Sequence, residues 1–231
     1  MRNKKYEILL DDTIKLFSHG KFITLFRIRA KKNFANVRKG EKGGYVESEK
    51  NLAHDGDAWI SGNAQVSGNA RVSDNAYVFN NAQVLGDAQV FGNAQVSDNA
   101  RVYDNACVFG NARVSGDACI FGNARVSGNA RVYGDAWVCD NARVSDYAQV
   151  YGNTWIFDSA WVCDDAQVYD SARVSGHAQI LGNSRVFGNA FVSARIIILK
   201  TDINFNLTPR ILIDSAEKAQ KFRKCIEAFS I

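Results

Sequence analysis

Residues 118–141 read ACIFGN ARVSGN ARVYGD AWVCDN, four consecutive copies of one six-residue pattern. Each copy begins with alanine, has Val or Ile two positions later, and ends in two residues drawn from Gly, Asp and Asn. Side chains two positions apart face the same side of a β-strand, so the alanine and the aliphatic residue point inward together. The closing residues favour left-handed and turn conformations, which predicts a corner after every short strand.

The same pattern continues in both directions without a slip and gives 23 hexads, whose aliphatic residues run from Ile60 to Val192. The small residue is alanine except at Thr154 and Ser184. A corner after every three-residue strand does not build a hairpin meander, but three hexads can close one triangular coil. Successive coils then pair their backbones like strands of a parallel sheet. The repeat therefore predicts an all-β, parallel β-helix of about 7–8 triangular coils of three hexapeptides, stacked about 4.8 Å apart.

The hexad resembles the repeat of the hexapeptide-repeat, left-handed parallel β-helix family, over roughly residues 58–194. This resemblance implies a left-handed coil, and many proteins with that coil are acyl- or nucleotidyl-type transferases. The whole chain, including FRIRAKKNFANVRKGEKGGYVESEKNLAHDGDAWI at residues 26–60, also resembles the GNA-repeat proteins of phages, prophages and enteric bacteria. The second resemblance implies a phage-type accessory protein that modulates or inhibits a bacterial host or defence factor.

Charge divides the chain into three segments. Residues 1–54 carry 13 Lys and Arg against 6 Asp and Glu, whereas residues 55–194 carry 8 Arg and 14 Asp with no Lys or Glu. Residues 195–231 are again basic, with 7 Lys and Arg against 4 Asp and Glu. Because an open stack of coils exposes strand edges that aggregate unless they are covered, we interpret both basic ends as caps.

The caps have their own local signals. Short β-rich runs around Ser18–Gly20 predict a small hairpin or meander, and Val46 and Leu52 are interpreted as imperfect first rungs, followed by a two-residue slip before Ile60. At the other end, Ala194–Leu199 and Pro209–Ile213 are predicted strands. A helix beginning at Asp214 or Ser215 is predicted to close the C-terminal cap.

Composition narrows the class of protein further. No stretch approaches the roughly 18–20 consecutive apolar residues of a membrane span, and the N-terminus lacks a signal-peptide core, so we expect a cytoplasmic protein without membrane association. The five cysteines are widely spaced and form no CxxC pair, which argues against a disulfide framework and a zinc site.

Outward positions of the hexad carry aromatic residues in register, and these are the predicted binding residues. Patches rich in Tyr, Trp and Arg are typical of interfaces, so we expect a protein partner and a homo-oligomer, either dimer or trimer. The alternative is that stacked rings only stabilise neighbouring rungs. On one face the residues are Tyr133, Tyr151, Tyr169 and Phe187 with Arg131 and Arg185; on a second they are Tyr103, Phe121 and Phe157 with Trp137 and Trp155.

Catalytic and metal chemistry have weaker signals. Transferases with this coil typically use a histidine base and a loop that leaves the coil, whereas His177 lies at a corner and the 23 hexads contain no such loop. A degenerate acyltransferase is therefore the second interpretation. Corner carboxylates such as Asp140 and Asp158, Asp117 and Asp135, or Asp146 and Asp164 with Asp165 would stack, but we interpret them as solvated turn residues and predict no metal or cofactor.

A basic cluster in the N-terminal segment is the last candidate. Basic residues interleaved with aromatics can contact a phosphate backbone, but the acidic coil argues against a nucleic-acid track. A nucleic-acid or polysaccharide binder is thus the third interpretation, behind a non-enzymatic, rigid protein-binding scaffold. The cluster comprises Arg27, Arg29, Lys31, Lys32, Arg38 and Lys39.

Overall fold

The protein is a parallel β-solenoid. The computed structural model describes residues 4–18, 21–193, 195–199 and 202–205. Within these ranges almost every regular element is a β-strand, and the strands form three sheets; one 3₁₀ turn, Glu49–Asn51, is the only helical element there. The predicted all-β parallel β-helix is confirmed.

The three sheets are built from strands that recur every third hexad. Sheet 1 contains, in spatial order, β1 (Tyr6–Ser18), β2 (Lys21–Ala30), β3 (Lys42–Val46), β5 (Gln65–Val66), β8 (Gln83–Val84), β11 (Arg101–Val102), β14 (Cys119–Ile120), β17 (Trp137–Val138), β20 (Trp155–Ile156), β23 (Arg173–Val174) and β26 (Phe191–Val192). Sheet 2 contains β4 (Trp59–Ile60), β7 (Tyr77–Val78), β10 (Gln95–Val96), β13 (Arg113–Val114), β16 (Arg131–Val132), β19 (Gln149–Val150), β22 (Gln167–Val168), β25 (Arg185–Gly188) and β28 (Asp202–Phe205). Sheet 3 contains β6 (Arg71–Val72), β9 (Gln89–Val90), β12 (Cys107–Val108), β15 (Arg125–Val126), β18 (Arg143–Val144), β21 (Trp161–Val162), β24 (Gln179–Leu181) and β27 (Ile197–Leu199).

The register of the stack follows the sequence repeat. Val114 pairs with Val132, and Val132 pairs with Val150, so equivalent residues of neighbouring coils lie 18 positions apart. The stack reaches about nine coils rather than the 7–8 given by the hexads alone, because β3, β27 and β28 extend it at its ends. Leu52 bridges to Val72, a separation of 20 residues, which confirms the two-residue slip.

The interior is a ladder of small and aliphatic side chains. Ala130, Val132 and Val144, like their equivalents in nearly every coil, have no exposed surface. The two hexads that depart from alanine differ in how their hydroxyl groups are satisfied. Thr154 is buried and its Oγ1 has no hydrogen-bond partner, whereas the Ser184 Oγ lies 2.7 Å from the Leu181 carbonyl oxygen and 3.2 Å from that of Ile198.

The corners join the coils by side-chain as well as backbone hydrogen bonds. The fifth hexad position has a positive φ, and it is occupied by Gly or by Asp and Asn, as at Asp98, where φ is 60°. A Cβ atom on the corner residue Gly56 would lie 2.2 Å from the Asp74 carbonyl oxygen, so only glycine fits there. At the last hexad position, Asn93 donates to Asn111 at 2.9 Å.

The N-terminal residues cover the first coil. β1 and β2 form the predicted antiparallel hairpin, and β2 also pairs with β3 at the start of the stack. The buried Lys5 Nζ donates to the carbonyl oxygens of Ala58, at 2.8 Å, and of Gly56, at 3.2 Å. The Tyr6 hydroxyl donates to the Leu52 carbonyl oxygen at 2.9 Å. The carbonyl oxygens of Gly56, Ala58 and Leu52 at the open end of the coil are thereby satisfied.

Several predicted cap features lie outside the described residues: the His19 turn residue, the strand over Pro209–Ile213, and the helix from Asp214 or Ser215. The described C-terminal strands β27 and β28 continue the stack, and β28 shifts register, since Asp202 pairs with Arg185 only 17 positions away. The division of the chain into 1–54, 55–194 and 195–231 stays a prediction.

Candidate functional site: the outward aromatic columns

Aromatic side chains form a continuous ladder on sheet 2, because the residue after each aliphatic rung points outward and lies directly above its equivalent in the previous coil. Ring centroids are 4.9 Å apart for Tyr133 and Tyr151, 5.0 Å for Tyr151 and Tyr169, and 5.0 Å for Tyr169 and Phe187. The planes are parallel within 4°. We call these four residues the tyrosine ladder. All four side chains are half-buried, and burial raises the pKa of Tyr133 and of Tyr151.

Arginines flank the tyrosine ladder, as the sequence predicts. Arg131 and Arg185 begin the strands β16 and β25 that precede Tyr133 and Phe187, and both arginines are exposed. The intervening strands begin with the half-buried Gln149 and Gln167. The outer surface of sheet 2 therefore combines an apolar column with a polar and cationic one.

Sheet 1 carries two shorter stacks, made of predicted residues. The ring centroids of Tyr103 and Phe121 are 5.0 Å apart, as are those of Trp137 and Trp155, and the ring planes are nearly parallel in each pair. The Phe121 ring and the Trp137 indole are nearly perpendicular, with centroids 5.7 Å apart, and this edge-to-face contact joins the two stacks. Trp155 is 39% exposed and Trp137 is 36% exposed, so both indoles are accessible to a partner.

A groove interrupts the aromatic column of sheet 1. Phe121 and Phe157 occupy equivalent outward positions, but the position between them is Cys139, which is only 8% exposed. A cavity of about 600 Å³ opens at this point. Its lining comprises Phe121, Cys139, Asp140, Trp155, Phe157, Ser171, Arg173, Asn189 and Phe191. The sequence analysis did not identify this groove, although a single cysteine within an aromatic column was the available signal.

Sheet 3 carries a further stack that the sequence analysis missed. The Phe91 and Phe109 rings lie 5.0 Å apart with planes 2° from parallel. On the same sheet Trp161 is 37% exposed, and its Nε1 donates to the Ser145 hydroxyl at 3.1 Å. Both features occupy the same hexad positions as the predicted columns, so the 18-residue spacing was sufficient to find them.

The six residues of the predicted basic cluster fall into two groups that differ in their contacts. Arg27 is half-buried: its guanidinium lies 4.2 Å from the Tyr45 ring centroid and forms an ion pair with Asp12 at 3.3 Å. Arg29 forms an ion pair with Glu7 at 2.6 Å. These two arginines therefore stabilise the N-terminal hairpin. The other four basic residues are exposed on the segment that follows β2: Lys31, Lys32, Arg38 and Lys39.

His54 and His177, the two histidines among the described residues, do not form a catalytic arrangement. His177 is exposed at the corner between β23 and β24, and the hexads continue through 58–193 without a loop that leaves the coil. His54 stacks on Tyr6 with ring centroids 4.4 Å apart, and its Nε2 lies 4.0 Å from the Glu49 carboxylate. Burial lowers the pKa of His54, which favours the neutral ring.

The corner carboxylates act mainly as hydrogen-bond acceptors. The Asp140 carboxylate accepts the backbone N–H of Asp158 at 3.2 Å, and the Asp158 carboxylate accepts that of Gly176 at 2.9 Å. In the predicted Asp117 and Asp135 column, Asn99 donates to the Asp117 carboxylate at 2.9 Å. These contacts join successive coils, which accounts for aspartate at corners without a metal ion.

One group of side chains has a metal-ligating composition. Ligand atoms of Asp146, Cys163 and Asp164 lie within 4.8 Å of one another. However, burial, with added repulsion from Asp164 and Asp146, raises the pKa of the Cys163 thiol to about 12. The Asp164 carboxylate of this group accepts the backbone N–H of Gly182 at 2.9 Å, like the other corner carboxylates.

These features define a β-solenoid repeat protein whose outward side chains are arranged in columns. The family model described as the YdcK beta solenoid repeat matches residues 64–78, 94–108, 118–134, 124–140 and 136–152. The matches lie within the coil and include strands of all three sheets. No curated protein matches the chain. Among the residues that the structure describes, no helix has the length and apolarity needed to cross a membrane.

Proposed function

We propose that this protein is a non-enzymatic, rigid scaffold that binds a protein partner through its outward aromatic columns. The observation that carries the proposal is the tyrosine ladder, in which four stacked rings with nearly parallel planes are presented from four successive coils. Each ring is followed in space by the next at the coil spacing, so the ladder is one continuous surface.

The physical basis of the proposal is preorganisation. The backbone beneath the ladder is held by strand pairing on both sides, and the core residues below it, such as Val150 and Val168, are fully buried. Rings that are already stacked lose little side-chain freedom when a partner covers them, which reduces the entropic cost of binding. Tyr, Trp and Arg are also the residue types that contribute most to protein interfaces.

Two observations support a scaffold over the degenerate acyltransferase. Residues 58–193 continue as regular hexads, so the coil has no loop that could shape a substrate cleft. His177 is exposed at a corner and is not among the residues that line the aromatic groove of sheet 1. The match to a solenoid repeat is consistent with this role.

The proposal has further parts that derive from the sequence. The resemblances favour a left-handed coil and a phage-type accessory protein, which would bind and modulate or inhibit a bacterial host or defence factor. The unusual number of outward aromatics favours a dimer or trimer, and the composition favours action in the cytoplasm.

The test is affinity capture from a bacterial lysate with the immobilised full chain. A variant with Tyr133→Ser, Tyr151→Ser and Tyr169→Ser removes the ladder and introduces residues that the repeat already has at Ser97 and Ser115. A matched control changes the sheet 3 stack, with Phe91→Ser and Phe109→Ser. We expect a stoichiometric protein that the wild type and the control retain and the ladder variant loses. Capture of no protein, or equal capture by all three chains, would contradict the proposal.

A further inference from the structure

The groove of sheet 1 includes the place of one missing ring in the outward column that runs from Tyr103 to Phe157. Between Phe91 and Phe109, between Tyr103 and Phe121, and along the tyrosine ladder, ring centroids in adjacent coils are 4.9–5.0 Å apart and the ring planes are nearly parallel. In the column that contains Tyr103 and Phe121 the next position is Cys139, and the one after it is Phe157. The coil itself is regular at this point, because Ile120, Val138 and Ile156 pair in register.

The spacing follows from the coil repeat. Phe121 and Phe157 are two coils apart, which corresponds to about 10 Å between their positions in the column. A planar ring placed midway would lie about 5 Å from each, within the range in which aromatic rings stack favourably. The cavity of about 600 Å³ includes this position, where Cys139 and Trp155 contribute to its lining, and it extends over the following coils to Phe191.

Polar groups at the rim restrict which ring would be recognised. The Asp140 carboxylate lines the groove, and its Oδ2 accepts the backbone N–H of Asp158 at 3.2 Å and the Cys139 thiol at 3.6 Å. The other carboxylate oxygen retains acceptor capacity for a donor on the edge of an inserted ring. The Arg173 guanidinium lies 5.3 Å from the Trp155 ring centroid, which keeps this cation directed toward the indole. A ring that carries an O–H or N–H donor therefore fits the groove better than a purely apolar one.

We infer that the gap between Phe121 and Phe157 is a binding site for one aromatic side chain of a protein partner, a tyrosine or a tryptophan, whose edge donates to Asp140. This inference rests on the proposed function and deepens it. Ser171 and Asn189 in the groove lining lie at the corner between sheets 2 and 1, so the groove is next to the tyrosine ladder. A partner bound along the ladder could insert a single anchoring ring, which is a common arrangement at interface hot spots.

The experiment uses the full chain and the probes N-acetyl-tryptophanamide and N-acetyl-tyrosinamide, with binding followed by NMR at the Trp155 indole N–H. Cys139→Phe fills the gap with a residue that both neighbouring positions already have, and Cys139→Ala leaves the gap open. Ser115→Phe adds a ring to the sheet 2 column and serves as the control. We expect saturable binding in wild type, Cys139→Ala and Ser115→Phe, and an affinity reduced about tenfold or more in Cys139→Phe. Thermal melting of each variant shows that the fold is retained.

Three results would overturn the inference: no saturable shift with either probe, equal binding by N-acetyl-leucinamide, or unchanged affinity in Cys139→Phe. Binding of adenosine without binding of the amino-acid amides would also overturn it, because the site would then recognise a nucleobase. These outcomes are separable from failure of the proposed function. A protein captured through the tyrosine ladder by a chain whose groove binds no probe would preserve the scaffold and exclude the aromatic anchor.

Discussion

The carboxylate of Asp98 accepts the backbone N–H of Gly116, one coil further along the solenoid, at 3.2 Å. The same carboxylate accepts the Asn80 side-chain amide from the preceding coil at 2.8 Å. One corner residue thereby connects three successive coils. The hydrogen bond from Gly116, followed by that from Asn80, lowers the pKa of Asp98.

The stability of the fold should therefore depend on whether the Asp98 carboxyl group is ionised. Because the folded-state pKa of Asp98 is lowered, its ionised form stabilises the fold above the ordinary aspartate pKa of about 3.9, and this contribution is lost as the pH falls below that value. Asp98→Gly keeps the positive φ but removes the acceptor. We expect the difference in melting temperature between wild type and Asp98→Gly to shrink between about pH 5 and pH 2. A constant difference across that range would contradict this role for the carboxylate.

Removing the hydroxyl group from each of the two hydroxyl residues in the core should change the free energy of unfolding in opposite directions. Thr154→Val removes a buried hydroxyl that has no partner while keeping the side-chain volume, so we expect a gain of about 1 kcal/mol in the free energy of unfolding. Ser184→Ala removes a hydroxyl that bonds to the Leu181 or Ile198 carbonyl oxygen, so we expect a loss of about 1 kcal/mol. Denaturant unfolding of both variants measures the difference, and changes of the same sign would be inconsistent with it.

Substitutions at inward positions should reduce stability, whereas substitutions at outward positions should weaken binding and leave the fold intact. Val144 is fully buried, and Val144→Asp would place an unpaired carboxyl in the core at a cost of several kcal/mol, so loss of the β-rich circular dichroism signal is expected. The Tyr133, Tyr151 and Tyr169 to Ser variant should keep its spectrum and most of its stability. If that variant melts like Val144→Asp, the ladder serves rung stacking and not recognition.

The buried lysine at the N-terminal end gives a prediction on the alkaline side. Burial lowers the pKa of Lys5 to about 8, so the unfolded chain keeps its proton to higher pH than the folded one. The contribution of Lys5 to stability should then rise with pH from about 8 to about 10.5. Lys5→Met leaves the Gly56 and Ala58 carbonyl oxygens without this donor and should cost about 1–3 kcal/mol. We expect the difference between wild type and Lys5→Met to increase through that window in urea unfolding; a decrease would refute the assignment.

Assembly is the fifth prediction. If the exposed rings of Trp137 and Trp155 or the tyrosine ladder are buried between copies, multi-angle light scattering should give two or three times the chain mass of 25.5 kDa. The ladder variant or a Trp137→Ser, Trp155→Ser variant should shift the protein toward the monomer. A wild-type mass near 25.5 kDa at micromolar concentration would exclude the homo-oligomer.

The regular part of the molecule was predictable because the contacts of the coil repeat with the sequence. The position of Val132 in its hexad is enough to place it in the core, and the 18-residue spacing is enough to stack Tyr133 on Tyr151. The caps follow no such rule. The contact between Lys5 and Ala58 joins residues 53 positions apart with no shared pattern. Arg27 was grouped with exposed basic residues because the sequence does not show that Asp12 and Tyr45 would surround it.

The constant 18-residue register also determines which changes in chain length this architecture can tolerate. Inserting or deleting three whole hexads would lengthen or shorten the molecule by one coil, about 4.8 Å, and leave every column aligned. Deleting a single hexad would instead turn all later coils by one face, so the upper part of the tyrosine ladder would continue a different column. Such a fold can act as a ruler, in which the distance between two surface features is set by counting coils.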